Sequence, residues 1–188
     1  MVRKLSISIV AVICFLLIPV APAPVGAQQE LPPTILYGKE TLKGIGAVSV
    51  VVENLSDDAI QGGLTMEQLQ TDVEVKLRTA GIRIYDQSDA SPEATSEYYA
   101  NGAPYLYVRV SANASDIAPT FAVDVEVKLS EFVRMYDDPS KVTMAPIWQT
   151  PGFIGLVGTN WFQEDVRQKV KDEVDVFIND YLTVNPKD

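Results

Sequence analysis

The 188-residue chain has no histidine and a single cysteine, Cys14. Without an imidazole there is no histidine metal site and no Ser-His-Asp or Cys-His centre, because each of these needs that ring to bind the metal or carry the proton. Cys14 lies in the apolar stretch 5–20, behind Arg3 and Lys4 and ahead of Val25-Gly26-Ala27. Positive charge, an apolar run and small residues in that order read as a secretory signal peptide over 1–27, cut after Ala27. An uncleaved membrane anchor is the competing reading, but the run is near the lower length limit for spanning a bilayer and Pro19 interrupts its end. A lipoprotein reading of Cys14 would need a small residue before it, and Ile13 stands there.

Loss of the leader would remove the only cysteine, and with it disulfides and thiol nucleophiles. It would also remove Arg3 and Lys4, taking the net charge from −10 to −12. So acidic a domain repels phosphate backbones and anionic lipid surfaces, which argues against nucleic acid as a partner and against stable membrane insertion once the leader is gone. Lacking disulfides, it must hold itself by its core, and a chain of about 160 residues buries roughly 70% of its unfolded surface.

The most informative stretch is 46–86, which reads strand, helix, strand. In 48–52 the residues Val48, Val50 and Val52 point one way and Ser49, Val51 and Glu53 the other, and valine suits a pleated surface. Over 66–80, Met66, Leu69, Val73, Leu77 and Ala80 make one apolar stripe at helical spacing. Thr65 with Gln68 matches a capping box, and Gly81 fits the left-handed position that ends a helix. A short strand at 82–85 then closes a parallel crossover unit.

The remaining chain alternates between patterned and polar segments. Residues 28–43 hold Pro32, Pro33 and Gly38 without a period and read as a flexible tether, with a single domain over 44–188. Turn residues fill 53–64, and 87–102 is a polar surface loop. Segments 105–113 and 121–129 alternate apolar with polar and read as an antiparallel hairpin with one buried and one wet face. Past Leu129 the apolar phase slips, and a β-bulge there would restore burial. A strand at 142–150 contains Pro146, which places it at an edge. Asn160 with Gln163 is positioned to cap a last helix, whose stripe is Phe162, Val166, Val170, Val174, Phe177 and Tyr181, and Asn185-Pro186 ends it. The expected fold is α+β, a two-layer sandwich of a mixed β-sheet with two amphipathic helices on one face.

Several patterns suggest chemistry, and each has a plainer alternative. Gly152, Gly155 and Gly158 before a helix could cradle an anion, but the stretch lacks the Lys-Ser/Thr of a phosphate loop, and a flexible connection explains it. Asp57-Asp58 and Asp137-Asp138 lack the spaced ligands of a calcium loop and read as solvated turns. Asp124 and Glu126 share a sheet face with Tyr107 and Arg109 on the neighbouring strand. That set could run glycoside hydrolysis without histidine, although facing charges on an exposed sheet are common. Tyr98, Tyr99, Tyr105 and Tyr107 cluster and could stack on sugars or on a partner chain. Trp148 and Trp161 flank the glycines, beside Phe153 and Phe162. They either staple the edge strand to the last helix or present an indole to a partner, with Trp161 expected to be the more buried. Asn54-Leu55-Ser56 and Asn113-Ala114-Ser115 match glycosylation sequons, which matter only in a eukaryotic secretory host. No metal ligand set and no cofactor motif is identified.

Residues 48–55 (VSVVVENL), Gly63-Leu64 with 69–83 (LQTDVEVKLRTAGIR), 104–108 (PYLYV) and 177–186 (FINDYLTVNP) together resemble a group of short exported bacterial proteins of unassigned function. The resemblance covers most of the chain beyond the leader and carries over no active residues. The element order is also similar to small periplasmic α/β sandwiches of the anticodon-binding-like type, which implies a docking role in a bacterial envelope. The expected function is a non-catalytic, secreted or periplasmic domain that binds another envelope component through Trp148, Phe153, Trp161, Tyr105 and Tyr107. The alternatives are a carboxylate-dependent hydrolase on the polar sheet face and a small-ligand binder using the glycine-rich stretch. N-terminal sequencing of exported material is expected to begin at Gln28, and retention of Met1 would overturn the leader.

Overall fold

The computed structural model describes residues 38–85 and 103–186. In chain order it has a 3-10 turn (Gly38–Leu42), β1 (Ser49–Val52), α1 (Asp57–Gln61) and α2 (Met66–Thr79). Next come β2 (Tyr105–Ala114), β3 (Thr120–Arg134), β4 (Val142–Gln149), β5 (Phe153–Gly158), a second 3-10 turn (Thr159–Trp161) and α3 (Phe162–Val184). The strands form one mixed sheet, with β1 parallel to β2 and every other pairing antiparallel. The helices cover one face, so the fold is the expected α+β sandwich. The expected loop 87–102 and tyrosines 98 and 99 lie outside the described residues, as does residue 86.

β3 organises the sheet. β2 pairs with one edge of it, while β4 takes residues 128–134 and β5 residues 120–125 of the other. Phe121, Val123, Val125, Val127 and Leu129 face inward and are buried with Leu106, Val108 and Val110 of β2. Against them lie Leu69, Val73 and Leu77 of α2 and the full predicted stripe of α3. At ~25 cal/mol per Å² of apolar surface, this single cluster is the main source of stability. Polar contacts fix how the two long helices lie together. Arg167 donates to both carboxylate oxygens of Asp72, at 2.7 and 2.9 Å, and Lys76 reaches Asp175 at 2.7 Å. The Arg167 guanidinium, with Lys171 nearby, holds the Asp72 carboxyl below its usual range against the opposing effect of burial.

Thr65 caps α2 as expected, its Oγ1 accepting from Gln68 N–H at 3.2 Å, but the other half of the expected box does not form, because Gln68 Oε1 accepts from Gln163 Nε2. Gly81 takes the expected positive φ, 73°, just past the helix. Met66, placed on the stripe by spacing, is exposed because it belongs to the first turn, beyond the sheet's cover.

Several expectations are corrected. The strand at 82–85 reduces to one parallel bridge between Val48 and Ile84. The tether is not loose over 38–43. Leu42 is fully buried, Thr41 Oγ1 donates to Ile147 O, and Asn185 Nδ2 donates to Leu42 O, so this segment closes the end of the core between β4 and α3. Residues 28–37 lie outside the described part. The turn region 53–64 contains α1, capped by Ser56. Ser56 Oγ also bonds both the N–H and the C=O of Ala112, and Asp58 Oδ2 accepts from Ala114 N–H at 2.7 Å. These side chains satisfy the edge of β2 where β1 has ended.

The register irregularity does fall at Leu129/Ser130, but the extra residue is Ile147 on β4. β3 therefore keeps its alternation, and Phe132 goes to the polar face instead of the core. Nor are the glycines a loop: Phe153–Gly158 is strand β5. β4 and β5 run consecutively along the same edge of β3, separated at 150–152. There Thr150 N–H bonds Val127 O, and Gly152 adopts φ 76° with its Cα against the carbonyl of Val125. A Cβ at Gly152 would sit 3.0 Å from that oxygen, so glycine is what lets the edge continue. Finally, Asn160 does not cap α3. A 3-10 turn intervenes, Trp161 occupies the cap position without a side-chain bond, and Gln163 Nε2 donates to Gln68 Oε1 instead.

Val125 is the buried centre of β3, paired with both Val110 and Phe153. Val125→Asp is expected to cost roughly 3 kcal/mol or more by burying an unpaired carboxylate, read as a large drop in melting temperature. A melt within a degree or two of the wild type would show that this inward phase is wrong.

Candidate functional site

The sheet face opposite the helices carries the even-numbered residues of β3 and the odd-numbered residues of β1 and β2. Its rows follow from the pairing: Ser49–Tyr105–Ser130–Pro146, then Val51–Tyr107–Lys128–Gln149, Arg109–Glu126, Ser111–Asp124–Ile154 and Asn113–Ala122–Leu156.

One end of this face is aromatic. The Tyr105 and Tyr107 rings lie 5.9 Å apart, and Phe132 meets Tyr105 edge-on at 6.3 Å. Tyr107 Oη donates to Met144 Sδ at 3.2 Å, and Lys128 Nζ stands 6.0 Å above the Tyr107 ring. Ser49, Tyr105 and Ser130 are themselves buried, so the accessible part of this end is Tyr107, Phe132 and Met144. Charge occupies the middle. Arg109 bonds Asp124 at 3.0 Å and Glu126 at 3.1 Å, and Lys128 approaches Glu53 at 3.5 Å and Glu126 at 3.8 Å. Half-exposed pairs like these contribute about 0–1 kcal/mol each. At the far end, Ile154 and Leu156 stand 85% and 74% exposed beside a groove of about 330 Å³, which Ser111, Asn113, Ala122 and Asp124 also line.

The structure brings together only two of the five predicted binding residues, Tyr105 and Tyr107. Trp148 points inward opposite Leu129, is 5% exposed, meets the Phe177 ring edge-on at 5.2 Å and donates Nε1–H to Asp180 at 3.0 Å. Phe153 is also on the helix side, half-buried, with Lys169 Nζ 5.1 Å from its ring. Trp161 is 65% exposed. The expected order of the indoles is thus reversed. The bulge at Ile147 keeps Trp148 aimed at α3, while the 3-10 turn carries Trp161 outside the packed stripe that begins at Phe162.

The other proposed chemistries meet specific obstacles. In β5 the glycine run engages its backbone with β3 instead of curling around an anion, which removes the basis for the small-ligand reading there. Asp124 and Glu126 do share a face with Tyr107 and Arg109, but Arg109 binds both carboxylates, giving an ion-pair ladder on an open sheet. Asp138 accepts from Ser140 and pairs with Lys141, so it serves its own turn, and these bonds hold its carboxyl below the usual range. Asp58 serves the edge of β2. Among the described residues no group of three or more acidic or cysteine side chains is arranged to hold a metal ion. A cavity of about 390 Å³ lies between β1 and α2, lined by Val50, Val52, Gln70, Glu74 and Arg78. On the opposite face of β1, the buried Ser49 Oγ has no hydrogen-bond partner among the described residues.

The sequence pattern marks Phe132 as polar-face, since unbroken alternation from Asp124 through Lys128 places it there, but gives no sign of Met144, Ile154 or Leu156 as members of the site. The others required knowing that 153–158 is a strand and how β4 pairs. Comparison with known proteins finds no matching family model, and no curated protein matches the chain.

Because the two indoles differ so sharply in exposure, native fluorescence is expected to separate them. Trp161→Phe should remove most of the acrylamide-quenchable emission, while Trp148→Phe should remove the blue-shifted, protected part. Quenching that survives in Trp161→Phe at the wild-type level would contradict the assignment.

Proposed function

We propose that this protein is an exported, non-catalytic domain that docks another envelope protein on the sheet face opposite its helices. The observation that carries the reading is the composition of that face. Aromatic and thioether groups at Tyr107, Phe132 and Met144 and aliphatic groups at Ile154 and Leu156 flank a ladder whose charges largely cancel one another. Tyrosine, phenylalanine and methionine are enriched at interfaces, and charge is depleted at their centres. The partner that fits is a protein surface that is mainly apolar and weakly charged, since a strongly basic one would find the acidic groups already paired.

Trp161 supports a second anchor at the start of α3, because large exposed indoles are frequent interface hot spots. The hydrolase alternative would rest on Asp124 and Glu126. It is the weaker reading, because both are held by Arg109 on an open face, whereas glycoside hydrolysis needs one carboxyl kept protonated in an apolar setting.

Affinity capture from the protein's own envelope extract tests the proposal when wild type is compared with Tyr107→Ala/Met144→Ala and with Trp161→Ala. Loss of one specific captured protein in the double variant, roughly tenfold or more, is the expected result. Equal capture by wild type and the double variant would overturn docking at this face.

A further inference from the structure

Among the described residues nothing pairs with the outer edge of β5. Thr159 N–H bonds Pro119 O, and Thr150 N–H bonds Val127 O. Following the antiparallel alternation along the β3 register, Phe153, Gly155 and Val157 exchange hydrogen bonds with β3, so the N–H and C=O of Ile154 and Leu156 point away from it. Among the described residues β5 pairs only with β3. Exposed edges are ordinarily blunted by lysine, proline or an inward charge. β5 has none of these, and no charged residue occurs anywhere from Val142 to Gln163, a run of 22 residues in a chain of net charge −10.

We propose that β5 pairs antiparallel with β5 of a second copy of this chain, about a two-fold axis through Gly155. In that register Ile154 faces Leu156 of the second copy, and the reverse, with reciprocal N–H to C=O bonds between them. The axis falls on the non-hydrogen-bonded Gly155 pair, as the alternation requires. The exposed aliphatic side chains then lie beside one another on the polar face and join the apolar ends of the two sheets. On the helix side Phe153 faces Val157 of the second copy. The edge is complementary to itself, since about the Gly155 axis each outward N–H and C=O of one copy meets its partner in the other, and that points to a second copy as the occupant. Because the edge carries no charge, two acidic copies approach there at the least electrostatic cost. The pairing uses the edge of β5 and stands whether or not a further protein docks on the sheet face.

Sedimentation of the purified chain over a wide concentration range, for wild type and Ile154→Lys/Leu156→Lys, tests this. A concentration-dependent dimer is expected for wild type, with the dissociation constant raised roughly 100-fold or more by the facing lysines. Both side chains are exposed, so the variant should keep the wild-type circular dichroism spectrum. Ile154→Thr/Leu156→Thr, which retains strand propensity, should weaken the dimer in the same direction. Hydrogen exchange on the wild type adds a readout independent of any variant, because the Ile154 and Leu156 amides should gain protection as concentration rises. A wild-type monomer at all concentrations, an open-ended aggregate, a dimer unaffected by both variants, or concentration-independent exchange of those amides would each overturn the proposal.

Discussion

Burial of one side of β3 against α3 is the constraint that the rest of the molecule satisfies. Phe121, Val123, Val125, Val127 and Leu129 are inward on a 15-residue strand. Val166, Val170, Val174 and Phe177 are inward on a 23-residue helix. Neither element can leave its apolar side in water, and together they define the plane of the core. β2 must then lie on one edge of β3 in the register that buries Leu106, Val108 and Val110, because a one-residue slip would turn all three to the polar face. α2 fills the remaining area beside α3, and the Asp72–Arg167 pair locks the two helices in that arrangement. Since the Asp72 carboxyl is held below its ordinary range, this contribution is present at neutral pH and is lost as pH falls through the lowered folded value.

A strand this long creates edges that have to be dealt with, and each is treated differently. Where β1 stops short on β2, Ser56 and Asp58 supply side-chain oxygens in place of a further strand. Along β4, Pro146 and the contact from Thr41 to Ile147 interrupt the free edge. Two irregularities, at Ile147 and at Gly152, let one stretch of chain follow β3 over most of its length as two strands. Beyond its Val48–Ile84 bridge the outer edge of β1 is short, whereas among the described residues β5 keeps a regular uncharged edge over its whole length, and its outward residues are large aliphatics. The contrast with the protected edges gives β5 its significance.

These arrangements also redistribute what could act. Trp148 and Phe153, near the glycine run in sequence, turn inward and become packing residues. Glu131 falls on the helix side of the sheet near the 3-10 turn Gly38–Leu42, and burial raises its carboxyl above the ordinary range. The acidic pair Asp124–Glu126 sits where the sequence places it, but Arg109 faces it across the strand pairing, so what resembles an acid pair is an ion-pair ladder. The polar face of the sheet is left with Tyr107, Phe132 and Met144 at one end and the exposed Ile154 and Leu156 at the other.

By itself the sequence determined the parts governed by short-range periodicity and capping: α2 from Thr65 to Gly81, the stripe of α3, the β2–β3 hairpin and its buried side. Their side-chain spacing repeats within a few residues and needs no knowledge of neighbours. Tertiary structure alone decided the identity of β5, the side of the sheet reached by Trp148, which strand carries the bulge and the role of Ser56. A glycine-rich hexapeptide becomes a strand only when an unpaired edge of β3 is available to bond it. A tryptophan's direction depends on whether a bulge one residue away has reversed the alternation. Both depend on contacts between residues distant in sequence, and no local pattern encodes which of two strands absorbs the extra residue.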